Sequence, residues 1–126
     1  MLKNSPFYAG FAVDDLERAT TFYGETLGVE VVSVGTGLAA LRATNGYSVL
    51  VYEKAGHEPA AHTILNFPVD DVESTVDALR AAGVEFERYD DEQLKTDEKG
   101  IARGDGPTIA WFRDPAGNIL SVLQLD

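Results

Sequence analysis

One segment of this chain occurs twice. Phe11-Ala-Val-Asp-Asp-Leu-Glu-Arg18 returns as Phe67-Pro-Val-Asp-Asp-Val-Glu-Ser74, an offset of 67 − 11 = 56 residues. Each copy runs into an amphipathic segment that closes on Gly-Val-Glu, first at Gly28-Val29-Glu30 and then at Gly83-Val84-Glu85. That offset is 83 − 28 = 55, so one residue has been lost between the copies. Two copies are too few for a solenoid, which needs three or more units to bury its faces. The chain has 126 residues, the length of one hydrophobic core. The repeat therefore reads as a supersecondary unit duplicated inside a single domain.

Each copy predicts strand, helix, strands. In the first, Phe7 to Val13 is a short apolar run. Asp14 is placed to cap a helix, with Glu17 completing a capping box. Leu16, Ala19, Thr20, Tyr23 and Leu27 follow helical spacing, and Gly28 is a natural stop. Val29 to Val34 reads as a strand. Leu38 to Ala43 and Tyr47 to Glu53 flank Asn45-Gly46, a strong hairpin signal. In the second copy, His62 to Phe67 is a strand that stops at Pro68. Asp70 and Glu73 repeat the capping box, and Val72, Val76 and Leu79 make the buried stripe. Val84 to Tyr89 is a strand. Thr108 to Phe112 and Ile119 to Leu125 flank the turn from Asp114 to Asn118. Between them, Asp90 to Pro107 reads as a long polar loop, either a lid or a surface excursion.

Charge and composition remove several functions. Ten basic and 21 acidic residues leave a net charge of −11, the wrong sign for phosphate recognition, so no nucleic-acid partner is expected. The chain has no cysteine, which excludes disulfides, thiol catalysis and cysteine-held metals. No apolar run reaches the roughly 18 residues that span a bilayer, and the first residues lack a signal-peptide core. A cytoplasmic protein with no membrane partner is the expectation. The Asp14-Asp15 and Asp70-Asp71 pairs stand just before helical stripes, which favours capping over acid–base chemistry. Gly35-Thr36-Gly37 resembles the start of a dinucleotide fingerprint, but the next turn signal comes too soon for the long helix such a site needs.

The order and spacing of Val13-Asp-Asp-Leu16, Phe22-Tyr23, Leu27-Gly28, Phe67-Pro-Val-Asp-Asp71, Ala82-Gly83-Val84 and Phe112-Arg-Asp-Pro-Ala-Gly-Asn118 resembles the vicinal oxygen chelate superfamily. That group includes glyoxalase I, extradiol dioxygenases, fosfomycin-resistance enzymes and bleomycin-resistance binding proteins. The resemblance covers nearly the whole chain. It implies an α+β fold of tandem βαβββ modules, about residues 5–55 and 60–126 of one domain spanning 1–126. Their strands would form a curved eight-stranded, cup-shaped mixed sheet with helices on its outer face. It also implies a homodimer and a small-molecule ligand held in the cup.

Metal-dependent members place His, Gln or Glu on inward strand positions. Carried over through the motifs, those positions are Tyr8, Ile64 and Ser121, with a further one around Val49 or Val51. None is an ordinary metal ligand, since Ile and Val have no donor atom and Ser is a poor one. His62 stands two residues before Ile64, which would put both on one face of a strand. The other histidine, His57, falls in the linker. The expected site is thus metal-free and without a cofactor, with Tyr8, Val49, His62, Ile64, Trp111 and Ser121 lining it. Aromatic faces there suit a planar or apolar metabolite. The alternative is a metal-dependent lyase, isomerase or dioxygenase built around His62. A metal-free enzyme using Tyr8 or Ser121 has no visible base beside either residue.

Overall fold

A computed structural model describes residues 1–104 and 106–125. Asp105 falls in the loop expected from Asp90 to Pro107, and Asp126 ends the expected second module; both lie outside the described residues. The contacts divide the chain into two compact units, residues 1–57 and 58–126. Each is an α+β unit holding a four-stranded mixed sheet and a helix, the tandem βαβββ plan expected from the repeat.

The first unit runs β1 (Gly10–Val13), α1 (Leu16–Thr21), β2 (Glu30–Gly35), β3 (Leu38–Arg42) and β4 (Ser48–Glu53). Its strand order is β1-β4-β3-β2, with β1 parallel to β4 and the other pairs antiparallel. Period-two alternation puts Phe11 and Val13 on one face with Val51 and Ala39, their paired neighbours or next in register. All four are buried. Ala19 and Tyr23 bury with them, and the Phe11 and Tyr23 rings stand 5.8 Å apart. Past Thr21 the helix widens: Leu27 N–H donates to the Phe22 carbonyl, an i→i+5 bond, and Gly28 ends it at φ +73°. The hairpin between β3 and β4 turns at Asn45-Gly46 as expected, with the Asn45 side chain accepting from Tyr47 N–H at 3.1 Å.

The second unit runs β5 (Thr63–Pro68), α2 (Val72–Ala81), β6 (Ile101–Ala102), β7 (Thr108–Arg113) and β8 (Ile119–Gln124), in the order β5-β8-β7-β6. Val72 and Val76 of α2 are fully buried, as are Leu120 and Ala110, with Phe112 and Val122 nearly so. The Val, Leu and Phe side chains among them each contribute about 1.5–3 kcal/mol of apolar burial.

Two expectations are corrected. Asp15 and Asp71, not Asp14 and Asp70, occupy the capping positions. Only Asp15 caps by side chain, accepting from Arg18 N–H at 3.2 Å. The first helical N–H of each helix is met from far along the chain. Leu16 N–H donates to Glu53 Oε1 at 2.9 Å, and Val72 N–H donates to Gln124 Oε1 at 2.7 Å. Glu53 and Gln124 are the last residues of the fourth strand in their units. The repeat thus extends to a tertiary cap that the capping-box pattern did not show.

The second correction concerns the strand expected over Val84 to Tyr89 and the loop after it. Only Phe86 bridges to β7, opposite Phe112, with Glu87 N–H donating to the Trp111 carbonyl. The chain then leaves and returns as β6, pairing Ile101 with Ala110. One edge strand is therefore split, and the excursion between its halves is itself ordered as a small hairpin. Tyr89 and Thr96 exchange hydrogen bonds there, and Asp90 pairs with Lys95. Gly100 sits where the halves meet, at φ +87°, and a Cβ would lie 2.8 Å from the Glu87 carbonyl oxygen.

Two stability measurements follow. Glu53→Ala and Gln124→Ala should each cost about 0.5–2 kcal/mol in urea unfolding, the usual loss for a helix cap. Glu53→Gln, which keeps the acceptor, should cost less. Gly100→Ala combines a left-handed backbone with a clash against backbone, and should destabilise by about 1–3 kcal/mol.

Candidate functional site

In the second unit, α2 packs on β7 and β8. The helix-side residues of these strands, Ala110, Phe112, Leu120 and Val122, alternate with Ile109, Trp111, Ser121 and Leu123, which turn to the opposite face. Register then sets one row across three strands on that face. Asn66 of β5 pairs with Ser121 of β8, and Ser121 pairs with Trp111 of β7. Ser121 is fully buried, and its hydroxyl donates to Asn66 Oδ1 at 2.6 Å. Asn66 itself is exposed and Trp111 half-buried. The Tyr89 ring meets the indole edge-on, with centroids 5.6 Å apart at 87°.

Charge at this face is neutralised in place. Arg113, two residues beyond Trp111, donates through Nε to the Glu87 carboxylate and through Nη1 to the Gly117 carbonyl at 3.1 Å. The Glu87 partner holds the Arg113 pKa above its ordinary value. The row thus offers an aromatic surface, a buried hydroxyl and an exposed carboxamide.

The other expected residues fall elsewhere. Tyr8 lies two residues before β1 and is 67% exposed. It belongs to the first unit, where pairing begins with Leu50 N–H donating to the Ala9 carbonyl. Val49, like Val51, shares the face of Phe11 and Val13, on the side where Tyr23 buries. The β4 residue on the opposite face, paired with Gly10 and Ala40, is Leu50. Ile64 sits in a register shift between Thr63 and Leu65, so period-two counting fails there. His62 precedes β5 in a bend and is exposed, so it does not share a strand face with Ile64. Asn66 was missed. Its only signal was a polar residue inside an apolar strand, and the partner that makes it meaningful lies 55 residues away.

The donor set does not fit a metal. Ser121 Oγ is engaged by Asn66, and the Glu87 carboxylate is engaged by Arg113. Among the described residues no three His, Asp or Glu side chains gather as a ligand group. Asn66, Ser121 and Trp111 line none of three surface clefts. One of about 480 Å³ runs between α1 and β2–β3, past Glu17, Thr20 and Val31. Another of about 400 Å³ is lined by Arg88, Tyr89 and Lys95 on the hairpin. Neither gathers polar groups around an enclosed apolar space, as a small-molecule pocket does.

Two βαβββ units in tandem are the plan that the sequence resemblance implied. The sequence matches the Glyoxalase/Bleomycin resistance protein/Dioxygenase superfamily over residues 6–122, and the chain belongs to that superfamily. No curated protein matches it. Among solved structures it is similar to TnmS3, an antibiotic-binding protein from Streptomyces sp. CB03234, at 21% identity and a TM-score of 0.70, with 98% of each chain covered. It is also similar to a lactoylglutathione lyase from Agrobacterium tumefaciens, at 21% identity and a TM-score of 0.67 over 97% of this chain and 95% of that one. The fosfomycin resistance protein FosX from Listeria monocytogenes is 16% identical, with a TM-score of 0.66 over 94% and 89%. No helix among the described residues is long and apolar enough to cross a membrane.

The hairpin that carries Tyr89 is tied back by a charged cluster. Asp97 accepts from the backbone N–H of Lys99 and Ile101, each at 2.9 Å, and from Arg103 at 2.5 Å. Arg103 also reaches Glu73 of α2 at 3.2 Å, and Lys99 reaches Asp77 at 2.9 Å. Partial burial of Asp97 acts to raise its pKa, but the Ile101, Arg103 and Lys99 hydrogen bonds outweigh it and hold the carboxyl below the ordinary value. A depressed folded pKa contributes stability that is complete above the unfolded value, near pH 4, and is lost as pH falls through the folded value. Thermal melts between pH 6 and pH 2 should therefore show an acid-labile step that Asp97→Asn reduces.

Proposed function

We propose that this protein binds a small, apolar or planar molecule without a metal, in the manner of bleomycin-resistance-type members of its superfamily. The observation that carries the reading is the Asn66–Ser121–Trp111 row. It presents an indole, a satisfied hydroxyl and a carboxamide on one sheet face, with Ser121 at a strand position where the superfamily resemblance expects a metal ligand. The antibiotic-binding neighbour supports the same class of role. His62 and Ile64, of the same unit, remain candidate lining groups, and Tyr8 and Val49 remain candidates on the first unit. The reading includes a homodimer, supported by the exposed large apolar side chains Phe7, Tyr8, Tyr47 and Tyr52. Light scattering of the purified protein measures that directly.

Trp111 is the sole tryptophan, so its fluorescence reports on this face alone. Fluorene, a flat neutral hydrocarbon, should quench it saturably. Trp111→Leu should weaken fluorene binding about tenfold, followed by the probe's own emission, since an aromatic pair adds about 0.5–1.5 kcal/mol beyond its area. Mn²⁺, Ni²⁺, Zn²⁺ and Fe²⁺ should leave the melting temperature unchanged. A metal-induced rise that His62→Ala abolishes would replace this reading with a metal-dependent enzyme, because only a native-state ligand stabilises in that way.

A further inference from the structure

Asn66 can make one more kind of contact. Its Oδ1 is taken by the Ser121 hydroxyl at 2.6 Å. Ser121 is fully buried in the centre of the row, so its proton has to find an acceptor within the protein. That bond sets which way the carboxamide points. With the oxygen turned inward to Ser121, the Nδ2 amino group turns outward, and Asn66 is exposed. Among the described residues no acceptor is bonded to that Nδ2. An amide oriented in this way presents its two N–H donors outward.

Trp111 lies on the other side of Ser121, two strand spacings from Asn66, or roughly 10 Å between backbones. A flat ring laid over Ser121 against the indole would bring a substituent on its far edge to the Asn66 amino group. The charged groups beside the row, Arg113 and Glu87, are bonded to each other and offer a ligand no unbalanced charge.

We propose that Asn66 is the specificity-determining donor of this face, and that the ligand is a neutral planar molecule with an acceptor oxygen, a ketone or amide carbonyl, on the edge away from Trp111. Ser121 is a positioning residue that holds the amide donor outward. This inference rests on the binding role proposed above and narrows its ligand class.

The test uses 9-fluorenone and fluorene, which share one flat tricyclic frame and differ in a carbonyl against a methylene. Trp111 quenching gives both affinities on the same protein. The wild type should bind fluorenone about tenfold more tightly than fluorene, the worth of one hydrogen bond to a group otherwise left to water. Asn66→Leu should bring the ratio to about one. Asn66→Asp keeps the acceptor for Ser121, removes the donors, and should lose the preference as well, so a folding defect in one variant cannot imitate the result. Ser121→Ala, which frees the amide to rotate, should lower the ratio. Equal affinity for both probes in the wild type, or a preference that survives both Asn66 variants, overturns the inference and leaves the binding role standing. Failure of both probes to bind overturns both.

Discussion

The parallel pairing of the first and last strands organises each unit. β1 lies against β4, and β5 against β8, although 34 and 50 residues lie between them in the chain (48 − 14 = 34; 119 − 69 = 50). That contact forces the helix between the first and second strands to cross the whole sheet, since those strands end at opposite edges. One face is then covered by the helix, and in the second unit the other carries the Asn66–Ser121–Trp111 row. The same contact brings the end of the fourth strand to the start of the helix. Glu53 and Gln124 arrive there as caps, satisfying N–H groups that a helix cannot satisfy itself. Pairing, helix placement and capping are therefore one event, repeated twice.

The pairing also builds the candidate site. Ser121 is central because β8 lies between β5 and β7. A buried hydroxyl at that position needs an acceptor, and the parallel register supplies Asn66. The edge strand beside β7 is the least regular part of the unit. Its split lets the chain run out as a hairpin and places Tyr89 against Trp111. Ion pairs to α2 hold that excursion, each of them exposed and individually weak, with the Asp97 hydrogen bonds at their centre.

Much of the fold was legible because its signals are local. Phe11, Val13, Val72 and Val76 follow the periods of strand and helix, and each became core. Asn45-Gly46 and the segment from Asp114 to Asn118 are turns whose geometry comes from their own side chains; Asp114 Oδ1 accepts from Ala116 and Asn118 N–H at 3.0 and 2.8 Å. The site was legible only in part. Trp111 and Ser121 lie on regular strands, where alternation gives the face. His62 and Ile64 lie at a bend and a register shift, where counting by two no longer holds. A step of one residue, from Val49 to Leu50, is a change of face in a strand.

The sequence by itself determined the duplicated plan, the elements of each copy, the superfamily and the poverty of metal ligands, because these depend on residue type and short-range spacing. Only the tertiary structure decided which residues share a row, what caps each helix, where the edge strand breaks and which way the Asn66 amide points. Those outcomes depend on strand register between segments far apart in the chain. Register is set by the sum of packing and hydrogen bonding across the whole sheet, and no single stretch of sequence carries it.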